Sequence, residues 1–178
     1  MRKTPSRLPL LLCVALLTVL SSSACSPSAP TTTVPDANES SLPYADQAEI
    51  YGLAVRQITG PDDTIEGDDD KAVIYLVRTT DDSIGDPRLR RSGIGSVPLA
   101  VQKILTSSLA DLPSTIRWVD TFDDVKRDRS TGTVLDDAFI VQLGSIEVLT
   151  DGSVRVPTSI YFGNLGASGK TYLLKSVD

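Results

Sequence analysis

The sequence predicts an α+β domain in which two helices pack on one face of a curved, mainly antiparallel sheet. Two segments show the apolar period of helices, several shorter segments show runs or alternation typical of strands, and most of the strand-like segments follow the second helix. We expect residues 44–178 to form this single domain, because the chain length fits one domain behind a signal peptide and a tether.

Two segments have the helical pattern. Residues 44–58 carry apolar side chains at three- and four-residue intervals, and Gly60-Pro61 is typical of a helix end. We expect the second helix to have Ser96 as its N-cap and Pro98 in its first turn. The apolar side chains expected on the inner faces are Ala48, Tyr51, Ala54, Val55 and Ile58 in the first helix and Val97, Val101, Ile104, Leu105 and Leu109 in the second.

The strand-like segments differ in how deeply they should be buried. Residues 72–77 form a compact β-branched run, which is typical of a strand covered on both faces. Residues 115–119 are expected to form a short strand that contains Trp118, and the polar residues 120–136 a loop or one irregular turn. Gly144 should bend or divide the apolar stretch 138–149.

The chain is expected to end in antiparallel strands. Asp151-Gly152 is a hairpin turn signal, and the following residues 154–162 alternate between apolar and mostly polar side chains. We expect residues 163–169 to turn the chain and residues 171–177 to return as a last strand.

Residues 1–24 have the pattern of a secretory signal peptide. Arg2, Lys3 and Arg7 form a basic head, residues 8–20 are mainly apolar, and small residues follow. The apolar run is too short for a bilayer core of about 30 Å, which needs roughly 20 residues. We therefore expect the rest of the chain to work outside the cytoplasm.

Cys25 directly follows the small residues that end this signal. The arrangement resembles the lipobox of bacterial lipoproteins, in which the cysteine becomes the first mature residue and carries acyl chains, including palmitate. Ser22 stands where lipoboxes favour Leu, and Ser22-x-Ala24 also fits ordinary signal peptidase cleavage, which would leave Cys25 unmodified. After cleavage Cys25 would be the only cysteine, and lipidation accounts for an exported thiol that has no internal disulfide partner.

Residues 25–43 would then be the acylated cysteine and a disordered tether. The segment is rich in Ser, Thr and Pro, and its 18 residues after Cys25 would reach about 55 Å at about 3.1 Å per residue. The location predicted from these features is the bacterial cell membrane, with the protein lipid-anchored and facing outside the cytoplasm.

Charge and composition exclude several classes of function. Removal of residues 1–24, which hold three cations and no acid, takes the formal charge from −6 to −9, so we expect no nucleic-acid partner. The chain has no histidine, one mature cysteine and no G-x-S-x-G motif, so we assign no catalytic residue, no metal ligand and no cofactor. Catalysis by carboxylates alone stays possible.

Gly169-Lys170-Thr171 matches the end of the phosphate-binding pattern G-x-x-x-x-G-K-[ST]. Asn164 stands where the first glycine belongs, and residues 172–177 are long enough only for a strand. Because the motif needs a helix after its loop, we predict a hairpin turn here and no nucleotide.

Three other features have both a functional and a structural interpretation. The acidic residues 62–70 could hold calcium, but their spacing does not fit an EF-hand, and a solvated loop is the alternative. Arg88, Arg90 and Arg91 in the loop of residues 81–95 could hold an anion or pair with acids. Trp118 and Tyr161 could line a binding face or belong to the core.

The order of elements resembles the cystatin-like and NTF2-like families, and residues 152–156 and 169–174 look like the last two strands of NTF2-like exported proteins. A weaker resemblance, through residues 73–75 and 98–105, is to GerMN-type lipoprotein domains. The signal, Cys25, the tether and a compact domain without catalytic groups favour a non-catalytic module that binds an envelope protein, an envelope polymer or a small apolar ligand. The alternatives are an NTF2-like enzyme with a carboxylate and a tyrosine, and a purely structural envelope component.

Overall fold

The structure is a computed structural model, and it describes residues 42–60, 71–89, 91–163 and 166–176. The signal peptide, Cys25, nearly all of the tether and the acidic segment 62–70 therefore lie outside the described residues. The helices and strands are α1 Tyr44–Ile58, β1 Val73–Val77, β2 Thr79–Asp81, β3 Ile94–Ser96, α2 Leu99–Ser108, β4 Thr115–Val119, β5 Ala138–Leu143, β6 Glu147–Val148, β7 Val154–Gly163 and β8 Gly166–Leu174.

The main sheet is curled and mixed. Its strands run in the order β4, β1, β5, β7 and β6, and β8 pairs with the other side of β7. The α+β class is confirmed, but two of the pairings, β1 with β4 and β1 with β5, are parallel. The expectation of a mainly antiparallel sheet holds only for the part around β7. β4 can lie parallel to β1 because β2, β3 and α2 connect the two strands.

Both helices contribute to one core on the same face of this sheet. The predicted stripe of α1 is confirmed, because Ala48, Tyr51 and Ile58 are all buried. Ile74 and Leu76 of β1 face these helices, whereas Val73 and Val77 belong to a second cluster on the opposite face. The predicted strand at residues 72–77 is thus buried on both faces.

The second cluster lies under the segment that connects β4 to β5. Val125 and Val134 of this segment are buried against the sheet, and Phe122 meets Tyr161 edge to face with ring centroids 5.2 Å apart. The segment contains one 3₁₀ turn and an isolated bridge between Arg127 and Val134, so it is more ordered than a solvated loop.

Three sequence predictions about element ends and faces are wrong. Ser96 lies in β3, and the N-cap of α2 is Pro98, so Pro98 precedes the helix. Ile104 is 41 % exposed, and the buried residues of α2 are Val101, Gln102 and Leu105. Residues 166–169 do not turn the chain, because β8 already begins at Gly166. Within the described residues no helix is long and apolar enough to cross a bilayer.

Candidate functional site

A groove runs along the outer edge of β8. A cavity of about 690 Å³ lies between Leu53 and Gln57 of α1 on one side and Asp86 and Pro87 on the other, with β8 as its floor. A second cavity of about 260 Å³ continues it toward the start of α1 and shares Leu53 and Leu174 with the first. We call the two cavities together the β8 groove.

The floor of the β8 groove presents main-chain groups that have no partner among the described residues. Gly144 N donates to the carbonyl oxygen of Pro157 at 2.7 Å, so Pro157 directs its main chain toward β5 and away from its β8 neighbour Thr171. Main-chain directions alternate along a strand, so the N–H and C=O groups of Gly169, Thr171 and Leu173 point outward. β7 is the only described strand that pairs with β8.

The first wall of the groove is the exposed face of α1. Leu53 is 48 % exposed there, and Leu173 on the strand edge is 54 % exposed. Asp46 and Glu49 lie on the same wall at the smaller cavity, where no cation of the described residues forms an ion pair with either. The wall thus combines apolar surface with negative charge at one end.

The second wall is a turn that is held tightly against the sheet. Asp86 N donates to Thr171 Oγ1 at 2.9 Å. A Cβ on Gly85 would lie 2.3 Å from the same oxygen and 3.0 Å from Pro157 Cβ, so only glycine fits there without displacement. Gly169 is required for a similar reason, because its Cβ would lie 2.2 Å from the carbonyl oxygen of Ile84.

A buried carboxylate fixes the base of this second wall. Asp82, which is 7 % exposed, accepts from Ser145 N at 2.6 Å and from Arg91 Nη2 at 3.2 Å. Arg91 also donates to Glu147 of β6 at 2.9 Å. Because both charges are partly or wholly desolvated and paired, this network joins the turn to the sheet instead of leaving it as a free loop.

Tyr51 belongs to the same region but has a structural role. Its hydroxyl donates to the carbonyl oxygen of Gly144 at 3.1 Å. Burial, and then the negative charge of Asp82, raise the pKa of Tyr51 far above its ordinary value. The hydroxyl therefore stays protonated and acts as a hydrogen-bond donor in the core.

The described carboxyl groups with displaced pKa values are all displaced downward. Arg56 lowers the pKa of Asp111, Lys71 lowers that of Asp137, and hydrogen bonds from Ser130 and Thr131 lower that of Asp128. Each of these carboxylates is stabilised in its charged form, which suits ion pairing and turn capping. A general acid at neutral pH needs the opposite displacement.

Of the arginine and aromatic candidates, Arg91, Trp118 and Tyr161 lie at structural positions. Arg91 pairs with acids, Arg88 lies exposed in a 3₁₀ turn, and Arg90 lies outside the described residues. Trp118 packs against the helix-side core and donates from Nε1 to Thr106 Oγ1 at 2.9 Å. Tyr161 donates from its hydroxyl to the carbonyl oxygen of Gly132 at 3.0 Å.

The phosphate-loop resemblance is not matched by the structure. Gly169, Lys170 and Thr171 lie inside β8, and the residues after them continue the strand to Leu174. The calcium hypothesis for residues 62–70 lies outside the described residues. Within the described residues, no group of three acidic, histidine or cysteine side chains is placed to hold a metal ion.

One exposed tyrosine–carboxylate pair corresponds to the enzyme alternative. Tyr75 Oη donates to Asp136 Oδ2 at 3.1 Å. Asp136 and Asp137 both have positive φ, at 67° and 49°, and Lys71 Nζ donates to Asp137 at 3.0 Å. These contacts stabilise a turn with strained backbone at the start of β5, and this structural role is enough to account for the pair.

Sequence reasoning missed the β8 groove. Sequence reasoning underestimates the length of the last strand, because it interprets Gly166 and Gly169 as turn residues. Gly169 lies within the strand, and glycine is needed there because Ile84 approaches it closely. Leu53 falls off the inner stripe of α1, and this was the available signal for an exposed apolar wall.

Comparisons of the chain with protein-family models, with curated proteins and with solved structures return no significant match.

Proposed function

We propose that this chain is an exported lipoprotein, anchored through acylated Cys25 to the outer side of a bacterial cell membrane, whose α+β domain is a non-catalytic binding module. The signal-like residues 1–24, Cys25 and the Ser/Thr/Pro-rich residues 26–43 support the anchor. The observation that carries the binding role is β8, a nine-residue edge strand that forms the floor of a groove with two built walls.

Affiliation with NTF2-like or cystatin-like exported domains is part of this proposal. It is supported by two helices on one face of a curled sheet and by the closing hairpin of β7 and β8. The GerMN-type alternative is supported by the two segments that suggested it, because residues 73–75 are in β1 and residues 99–105 are in α2.

The anchor is tested by the intact mass of the mature protein and by membrane fractionation, for the wild-type chain and Cys25→Ser. We expect the wild-type mature chain to begin at Cys25 with added acyl mass and to fractionate with membranes. The variant should lack that mass and leave the membrane fraction, because two or more acyl chains are needed for stable anchoring. A wild-type chain that begins at an unmodified Cys25 would contradict the proposal.

A further inference from the structure

We propose that the β8 groove binds an extended polypeptide segment of a partner protein, which adds as a strand to the outer edge of β8 and carries a cationic residue at its amino-terminal end. The inference rests on the proposed function as a binding module and names the class of partner. It follows from the direction of the main-chain groups, from the two walls and from the unpaired charges.

Strand addition is the binding mode that the floor of the groove favours. Gly169, Thr171 and Leu173 present outward N–H and C=O groups at alternate positions along β8. An added strand satisfies these groups with main-chain hydrogen bonds, and its alternate side chains then face the two walls. A rounded apolar ligand would leave the same groups without partners, at the cost of their desolvation.

The walls favour a single extended segment over a second folded copy of this chain. α1 stands on one side of the strand edge, and the Asp86–Pro87 turn stands on the other. The turn is fixed by Asp82 and Thr171, so it does not fold away easily. A second β8 would bring the same two walls with it, whereas an isolated strand brings only its own side chains.

Charge complementarity shows at which end of β8 the cation of the segment would lie. Asp46 and Glu49 lie beside Leu174 and Lys175, at the carboxy-terminal end of β8, and Lys175 already lies in the field of Asp151. A cation on the partner would therefore meet two acids that have no ion-pair partner among the described residues. We take the added strand to be antiparallel to β8, as its existing neighbour β7 is, so the amino-terminal end of the added strand faces this end of β8.

The test uses the mature chain with Cys25→Ser and the fluorescent probe peptide Lys-Lys-Val-Thr-Val-Thr-Val-amide. We expect saturable binding by fluorescence anisotropy, with amide shifts at Gly169, Thr171 and Leu173 in NMR spectra. Methylation of alternate peptide nitrogens, or reversal of the peptide sequence, should weaken binding by about tenfold or more, since a tenfold change corresponds to the loss of one or two hydrogen bonds or ion pairs. Equal binding of the methylated peptide would overturn the proposal.

Leu173→Pro removes one outward N–H and leaves the pairing of β7 and β8 intact, because Leu173 does not direct its main chain toward β7. We expect it to weaken the probe by about tenfold, whereas Leu173→Ala, which retains the N–H, should weaken it less. If circular dichroism shows that Leu173→Pro is unfolded, the comparison of the methylated with the unmethylated peptide still tests strand addition.

Other occupants give distinct results. Concentration-dependent dimers that Leu173→Pro abolishes would identify a second copy as the occupant and overturn the proposal. Binding of dodecanoate in the groove, with no binding of the peptide, would also overturn it.

A photo-crosslinking residue at Leu53, with one at the 64 % exposed Leu99 of α2 as the control, separates the two proposals in cells. Adducts specific to Leu53 without peptide binding would leave the proposed function standing and refute only the strand mode. If there are neither adducts specific to Leu53 nor binding of the probe peptide, the proposed binding module is contradicted as well.

Discussion

The two edges of the main sheet are built differently, and this difference underlies the binding site that we propose. β4 has five residues, and its end is fastened by Arg78, whose N–H donates to the carbonyl oxygen of Val119 and whose guanidinium pairs with Asp120. Trp118 secures its helix-side face to α2. β8 has nine residues, and its outer main-chain groups line a groove and pair with no strand of the described residues.

Edge strands are a hazard for soluble proteins, which usually shorten, charge or cover them. β4 shows this protection, since it is short and carries Arg117 at an exposed position. β8 carries Lys170, but it is nine residues long, and no strand of the described residues covers its outer edge. A long open edge between two fixed walls is what strand addition requires, so we interpret the exposure of β8 as functional.

The largest expected change in stability comes from the Asp82 network, which holds the second wall of the β8 groove. Asp82→Ala should lower the free energy of unfolding by about 3 kcal/mol, because it leaves Arg91 and Ser145 N without their buried acceptor. Urea denaturation measures this change. Asp123→Ala, which breaks the exposed Arg127 pair, is the matched control and should have little effect. Equal effects of the two substitutions would show that the Asp82 network does not hold the wall.

A smaller effect is expected from truncating one side chain at each edge. Trp118→Ala should lower the free energy of unfolding by about 2 kcal/mol, because it removes apolar packing and the bond to Thr106. The loss is smaller than for a fully buried tryptophan, because the ring is half-buried. Leu173→Ala should change stability by no more than about 0.5 kcal/mol, as for other exposed positions. Thermal or urea unfolding of the two variants makes the comparison. A larger loss for Leu173→Ala would mean that β8 is a structural edge.

The smallest effect is on the acid dependence of stability near β4. Arg56 holds the pKa of Asp111 below its ordinary value, so this pair contributes above the unfolded pKa of about 3.9 and is lost as the pH falls through the folded value. We expect the urea midpoint to fall on acidification below about pH 5 and Asp111→Asn to flatten part of that fall. The difference should shrink at high salt, because the pair is exposed. Identical dependence of the urea midpoint on pH for the wild-type chain and Asp111→Asn would exclude this contribution.

Local patterns in the sequence were sufficient to predict most of the elements. The bounds of α1 and β4 and the turn at Gly152 were predicted correctly, because apolar periodicity and turn residues act over a few positions. The start of α2 was misplaced because Ser96 pairs with Thr79 in a strand, and this pairing depends on residues distant in sequence.

The sequence by itself determined the α+β class, the inner face of α1, and the expectation of export and acylation at Cys25. Only the tertiary structure decided that β1 pairs in parallel with β4 and β5, that Asp82 is buried against Ser145, and that the outer edge of β8, which no described strand covers, lies between two walls. The physical reason is the range of the interactions involved. Periodicity and capping act between near neighbours, whereas a groove is made by residues more than a hundred positions apart, such as Leu53 and Leu173.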